Sequence, residues 1–124
     1  MATAATSQIV ERCIDECFQC VKECLACSDE CLSYDAAKMA DCIRLCEECV
    51  AVCNPCTILL SRNSRVAHQI CGACAEICDA CAAECEKYKD REIMRKCAEA
   101  CRTCAKTCRE VAKAGPVQRA ASAS

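Results

Sequence analysis

Aromatic residues are nearly absent, with two Tyr, one Phe and no Trp in 124 residues. Glycine and proline number two each. A sheet protein needs aromatic and β-branched faces and Gly/Pro-rich turns, so β architecture has little to build on. Charge of one sign is missing too. Sixteen basic residues against 18 acidic ones leave a net −2, with no polybasic run. That composition argues against a nucleic-acid partner and against attraction to an anionic membrane. No apolar run is long enough to cross a bilayer. Val, Ile, Leu, Met and Phe total only 23, thin for an ordinary core. There is one His, no legible Ser-His-Asp arrangement, no phosphate-cradling glycine loop and no base-stacking aromatic array. No enzyme chemistry is expected.

What is abundant is cysteine, 20 residues, which with 22 Ala makes up a third of the chain. So much cysteine usually marks a secreted disulfide scaffold. Such scaffolds are rich in loops and space their cysteines irregularly, whereas this chain is helix-patterned throughout. Neighbouring thiols on one helix also lie poorly for the dihedral of a disulfide. The opening "MATAATSQIVERC" has no basic n-region, no apolar h-region and no twin arginine. The expectation is an intracellular, cytoplasmic chain with reduced thiols.

The cysteines fall into four blocks: Cys13, Cys17, Cys20, Cys24, Cys27 and Cys31; Cys42, Cys46, Cys49, Cys53 and Cys56; Cys71, Cys74, Cys78, Cys81 and Cys85; Cys97, Cys101, Cys104 and Cys108. All sixteen gaps within the blocks are three or four, in strict alternation. That is the a/d seam of a helix in a left-handed bundle. The expected fold is all-α, an antiparallel up-down-up-down four-helix bundle with a Cys-lined core, because short interblock loops impose antiparallel neighbours. The helices are expected over about 7–33, 36–60, 65–87 and 91–113 of a domain at 7–114. A flexible N-terminus (1–6) and a disordered tail (115–124) flank it. Ser7, Asp35, Asn63 or Ser64, and Asp90 are the expected N-caps. Pro55, in "CNPC", is expected to kink the second helix near Asn54 without ending it.

One or two buried cysteines are ordinary small hydrophobes. Twenty on the inward seam are not, because thiols lack the volume of a Leu/Ile core and each empty layer costs stability. Something dense is expected to fill the space. Thiolate is a soft ligand for Cu(I), zinc and iron–sulfur clusters. Nine CxxxC pairs place two sulfurs on one helix face. There they can bracket one ion almost linearly, which suits monovalent Cu(I). Zinc prefers four converging ligands and leaves −2 on each four-thiolate site, a charge that a buried series would accumulate. One Cu(I) per thiolate leaves the column neutral, so multiple Cu(I) ions per chain are expected. Iron–sulfur motifs usually wrap their cluster in loops, whereas the seven CxxC pairs here are mid-helix. A thiol redox buffer or sensor is the alternative from another class. A thioredoxin-like thiol, however, needs an exposed helix N-terminus.

The CxxxCxxC seam repeated on four helices resembles the bacterial copper storage proteins, a cysteine-rich four-helix-bundle family. The resemblance covers roughly residues 7–113. It implies a bundle holding many Cu(I) ions on inward Cys thiolates, chiefly through CxxxC pairs, and a homotetramer of bundles. Without an export signal the chain looks like the cytosolic branch, whose implied role is to sequester copper and protect against its toxicity. A copper chaperone is an expected partner.

An antiparallel bundle gathers Cys13, Asn54, Cys56, His68 and Cys108 at one end. His68, three residues before Cys71, extends the seam as a candidate ligand or simply meets water. Asn54 offers an amide oxygen, or satisfies the backbone beside Pro55. The other end gathers Cys31, Cys42, Cys85 and Cys97. There Met39 and Met94 each precede the first Cys of their helix by three, as soft ligands or as a plug with Tyr34 and Tyr88. The resemblance implies a His or Met at the mouth that admits copper, and the His68 end is preferred. A second stripe on helix 1, Ile14, Phe18, Val21, Leu25 and Leu32, needs another surface, either flanking helices or a homo-oligomeric face. Ile70 and Ile77 form a weaker stripe on helix 3.

Overall fold

Cysteine and alanine at heptad spacing fold here into four long helices. The computed structural model describes residues 4–116, with side chains described from Ser7. The helices are α1 (Ala4–Asp35), α2 (Ala40–Ser61), α3 (Ala67–Cys85) and α4 (Glu92–Ala114), with a 3-10 turn at Glu86–Tyr88. The described residues contain no strand. Residues 1–3 and 117–124, where much of the flexible N-terminus and disordered tail was expected, lie outside the described residues. Among the described residues no helix is long and apolar enough to cross a membrane.

α1 packs on α2 and α4, and α3 packs on α2 and α4, while the diagonal pairs make no close backbone approach. Each helix therefore lies beside its chain neighbours, and α4 closes the ring on α1. This is the up-down-up-down bundle that the short loops dictate. The inward stripe of every helix is its cysteine seam. All twenty thiols are buried and free.

The helix ends differ from the expected caps. Ser7 lies inside α1, which already runs from Ala4. The Asp35 carboxylate accepts the Lys38 N–H (3.1 Å) and so caps the turn leading into α2, whose own N-cap is Met39. Asn63 belongs to the end of α2 rather than to the start of α3. Its φ of 57° is left-handed, its N–H bonds the Leu60 carbonyl (3.2 Å), and the Ser64 N–H bonds that of Leu59 (2.9 Å). That pair of bonds is a Schellman closure, with Asn in the place glycine usually takes. Ser64 Oγ accepts the Val66 N–H (3.3 Å) one residue ahead of α3. Asp90 does not cap α4, whose N-cap is Arg91 with no side-chain capping bond.

α2 continues through Pro55 to Ser61. Thr57, buried one turn on, turns its hydroxyl back to the Asn54 carbonyl (2.7 Å), so this buried polar group is satisfied. Outside the seam, Arg102 joins the 3-10 turn to α3 and α4. It donates to Glu86 at 2.8 and 3.1 Å and to Asp79 at 3.0 Å, and Arg109 also pairs with Asp79.

Candidate metal centre

The thiols form a single column along the bundle axis, and all twenty cysteines are 0% exposed. Heptad geometry explains this. At alternating gaps of three and four every cysteine faces the axis, and Cys is small enough for four helices to approach closely. The sulfurs then meet even where backbones do not. Cys27 and Cys85, on diagonal helices, are 3.8 Å apart.

Sets of four sulfurs lie within 4.8 Å of one another, and the sets overlap. Cys13, Cys56, Cys71 and Cys108 share Cys108 with the set Cys17, Cys74, Cys104 and Cys108. Cys104 links that set to Cys20, Cys53, Cys78 and Cys104. Cys20 leads on to Cys20, Cys24, Cys49 and Cys101, and that set shares two thiols with Cys24, Cys81, Cys97 and Cys101. These are not separate zinc-type cages. A shared thiolate bridges two ions, which soft monovalent metals accept.

Neighbouring sulfurs of the column form near-equilateral triangles. Cys20, Cys24 and Cys101 have sides of 3.9, 3.7 and 3.7 Å. Cys104, Cys108 and Cys17 have sides of 3.9, 3.9 and 3.6 Å. Cys74, Cys78 and Cys53 have sides of 3.8, 4.0 and 3.5 Å. Each joins a CxxxC pair to one thiol of a neighbouring helix. Around an ion with ~2.3 Å metal–sulfur bonds, three sulfurs stand about 4.0 Å apart, whereas two in line stand about 4.6 Å apart. The column therefore fits three-coordinate ions as it stands. The nearly linear arrangement expected from the CxxxC pairs requires each pair to open by roughly 0.7 Å.

The column also polarises its own thiols. Cys13 is pulled down to about 6, chiefly by its hydrogen bond with Cys108, and Cys27 to about 5, chiefly by that with Cys42. Other thiols of the column move the other way. Cys108 is raised first by Cys104, Cys24 by Cys101, and Cys31 by burial. A buried thiolate survives here because neighbouring S–H groups donate to it. No Lys or Arg lies on the seam to share that role.

Apolar and thioether layers close both ends. Beyond Cys13, Cys56, Cys71 and Cys108 the seam continues as Val10, Leu60, Ala67 and Val111, all at most 2% exposed. This layer was not anticipated, although extending the alternation by one step predicts each position. It also corrects His68. Ala67 holds the seam position, and His68 flanks it, half-buried, with its Nδ1 enclosed and without a hydrogen-bond partner. Asn54, one residue past Cys53, is exposed and lies outside the column. At the other end Met39 and Met94 are buried on the seam. Met94 Sδ lies 3.2 Å from Cys27 Sγ and 3.8 Å from Cys31 Sγ. Over this end Arg91 stacks on Tyr34 at 4.1 Å and donates to Glu30 at 2.7 Å. Lys38 sits 5.9 Å from both tyrosine rings, Tyr34 and Tyr88.

The family model for copper storage proteins matches residues 6–113. The chain belongs to the copper storage protein family. Solved members share the bundle. The Cu(I)-bound copper storage protein BsCsp3 of Bacillus is 38% identical, with a TM-score of 0.79, over 84% of this chain and 98% of its own. A cytosolic copper storage protein from Streptomyces lividans, with five coppers, is 37% identical over 90% and 98% of the two chains, with a TM-score of 0.85. The protein Ccsp from the same organism, loaded with 10 copper equivalents, is 38% identical over 86% and 85%, with a TM-score of 0.81. No curated protein matches the chain. As a copper storage protein, the chain places its cysteines in a seam and not in a pocket. A surface groove of about 430 Å³ between α1 and α4, lined by residues such as Glu16, Lys22 and Glu99, contains no thiol.

Proposed function

We propose that this chain stores and sequesters Cu(I) in the cytosol, holding many ions on its twenty cysteines, and that it is not an enzyme. The overlapping sulfur triangles carry this reading. They offer a soft, dry, anionic column in which bridging thiolates and monovalent ions neutralise one another. Copper loading described for the Bacillus and Streptomyces members supports it. CxxxC pairs supply two ligands of a typical ion and a neighbouring helix the third. Copper arrives, from a copper chaperone, at the end where Ala67 leaves the closing layer thinnest. There the unpartnered His68 Nδ1 is a ready neutral donor.

The bundle works as a homotetramer. Phe18, Leu25 and Leu32, seven residues apart on one face of α1, are 57%, 54% and 58% exposed, a ready-made apolar interface. Ile14 from the same stripe is buried within the bundle and Val21 is half-buried. Light scattering of the reduced protein measures the assembly, and a monomer at micromolar concentration overturns it.

The test of storage is anaerobic titration of the reduced chain with Cu(I) against a chelator. Many ions per chain are expected, with ultraviolet sulfur-to-copper bands and no visible colour. Saturation at one ion or fewer per chain overturns the reading. A brown product instead indicates iron–sulfur ligation.

A further inference from the structure

The bundle is a ring of four helix–helix seams, and three of them are tied by a loop. No loop joins α1 to α4, so side chains must set the spacing of that seam. Glu16, Glu23 and Glu30 lie along it at seven-residue intervals, each directly before a cysteine of α1. Glu30 accepts from Arg91, at the start of α4, at 2.7 Å. Glu16 accepts the hydroxyl of Thr107. Glu23, among the described residues, accepts only from Gln19 of its own helix, at 3.0 Å, and lines the α1–α4 groove with Ala100.

Thr107 stands directly before Cys108, as Ala100 stands before Cys101. It is 2% exposed, and with Thr57 it is one of two buried polar side chains among the described residues. Thr57 turns to its own helix. For Thr107 the carbonyls of Thr103 and Cys104 lie at 3.2 Å, but a hydroxyl has one proton and the charged Glu16 carboxylate is the stronger acceptor.

We propose that Thr107 and Glu16 are positioning residues for Cu(I): their bond ties the residue before Cys17 to the residue before Cys108, and so holds Cys17, Cys104 and Cys108 at three-sulfur spacing. The proposal rests on the storage reading above and names side chains that bear no metal themselves. The sulfur triangle has sides of 3.6, 3.9 and 3.9 Å. These lie within about 0.5 Å of the spacing an ion needs, which is the tolerance of a built site. A larger shift of α1 leaves an ion on the Cys104–Cys108 pair alone. The solvent-facing Arg12–Glu110 pair, at 3.9 Å, is too long for a hydrogen bond and holds the seam weakly.

The test uses the isotopically labelled, reduced chain, saturated anaerobically with Cu(I). Copper is withdrawn with bathocuproine disulfonate while amide shifts are followed by NMR. Amides of residues 16–18 and 104–109 report the triangle, and those of 42–46 and 81–85 report thiols at the far end. Thr107→Val keeps the size of the side chain and removes the donor. It should lower copper affinity at the triangle by roughly tenfold, the scale of a lost bond that orients metal ligands, and leave the far end unchanged. Glu16→Ala should do the same, and the double variant should lose no more than either single one. Thr107→Ser should restore the affinity. A uniform loss at both ends, or no loss, overturns the positioning role and leaves storage standing. Additive losses in the double variant overturn it as well. A chain that takes up no copper overturns storage and the positioning role together.

Discussion

Cys20 Sγ lies 3.8 Å from Cys78 Sγ across the diagonal of the bundle, between two helices whose backbones do not meet. The contact exists because four small side chains share each layer and their sulfurs reach the axis. Cys20 belongs to two of the overlapping four-thiol sets, one shared with Cys78 and one with Cys24. A thiol shared by two sets is placed to bridge two ions. Cys20→Ser keeps the volume and removes the soft donor. It should lower saturation by about two coppers per chain, measured by anaerobic titration, while the helical circular dichroism is unchanged. A loss of none overturns the bridging role.

Copper is also expected to tighten the fold. A core of thiols contributes less volume than one of Leu and Ile, so the reduced, metal-free bundle packs less densely than a conventional core. Binding to the folded state alone stabilises it by about 2.7 kcal/mol per site at a free ion concentration one hundred times Kd. Loading should therefore raise the thermal midpoint stepwise with copper added. Amide exchange at seam positions of α2 and α3 should slow by at least tenfold. Equal exchange in the empty and loaded forms would count against an under-filled core.

Much of this was legible in the sequence because one periodicity carried it. The alternation of three and four named every inward cysteine, and short loops fixed the antiparallel order. The same alternation, carried one step further, names Val10, Leu60, Ala67 and Val111. A spacing of three before Cys71 suggests His68 for the seam, but the alternation requires a gap of four there, which names Ala67. Asn63 was misread because asparagine suits both an N-cap and a left-handed C-terminal position, and backbone geometry alone separates the two. The cover of Tyr34, Arg91 and Glu30 was not legible. Arg91 and Glu30 are 61 positions apart and meet only once the ring has closed. The sulfur triangles needed the same step, since a heptad gives the face but not the stagger of facing helices.

The split among the thiols sets a pH dependence for the metal-free protein. Cys13 and Cys27 are lowered from the usual 9.0 to about 6 and about 5. Their contribution to stability is full above 9.0 and fades as the pH falls through those values. Cys24 and Cys108 are raised from 9.0 by their bonds with Cys101 and Cys104. Their contribution is full below 9.0 and is lost as the pH rises above it. The denaturation midpoint of the reduced, empty chain should therefore peak near pH 9 and fall on both sides. Copper-loaded protein should give a flatter curve, because ligated thiolates do not take up protons over the same range. A metal-free midpoint that does not vary between pH 6 and pH 10 would show that the thiol network contributes no linkage.

The two ends of the column predict opposite responses in uptake rate. At one end Ala67 is the smallest member of a layer with Val10, Leu60 and Val111, and it lies beside the half-buried His68. At the other end Met39 and Met94 are buried, and Arg91 stacks on Tyr34 and donates to Glu30. If ions pass the Ala67 layer, Ala67→Leu fills the gap and should slow Cu(I) uptake at least tenfold without changing the final number bound. His68→Ala should slow it less, because a donor is lost but the passage stays open. Arg91→Ala removes the cover from the methionine end. It should leave the rate through the Ala67 end unchanged while lowering the thermal midpoint of the empty chain by a few degrees. Stopped-flow absorbance of the sulfur-to-copper bands measures all three. Faster uptake in Arg91→Ala, with no change in Ala67→Leu, would move the entrance to the methionine end. There the first ion would meet Met94 with Cys27 and Cys31 instead of Cys13, Cys56, Cys71 and Cys108.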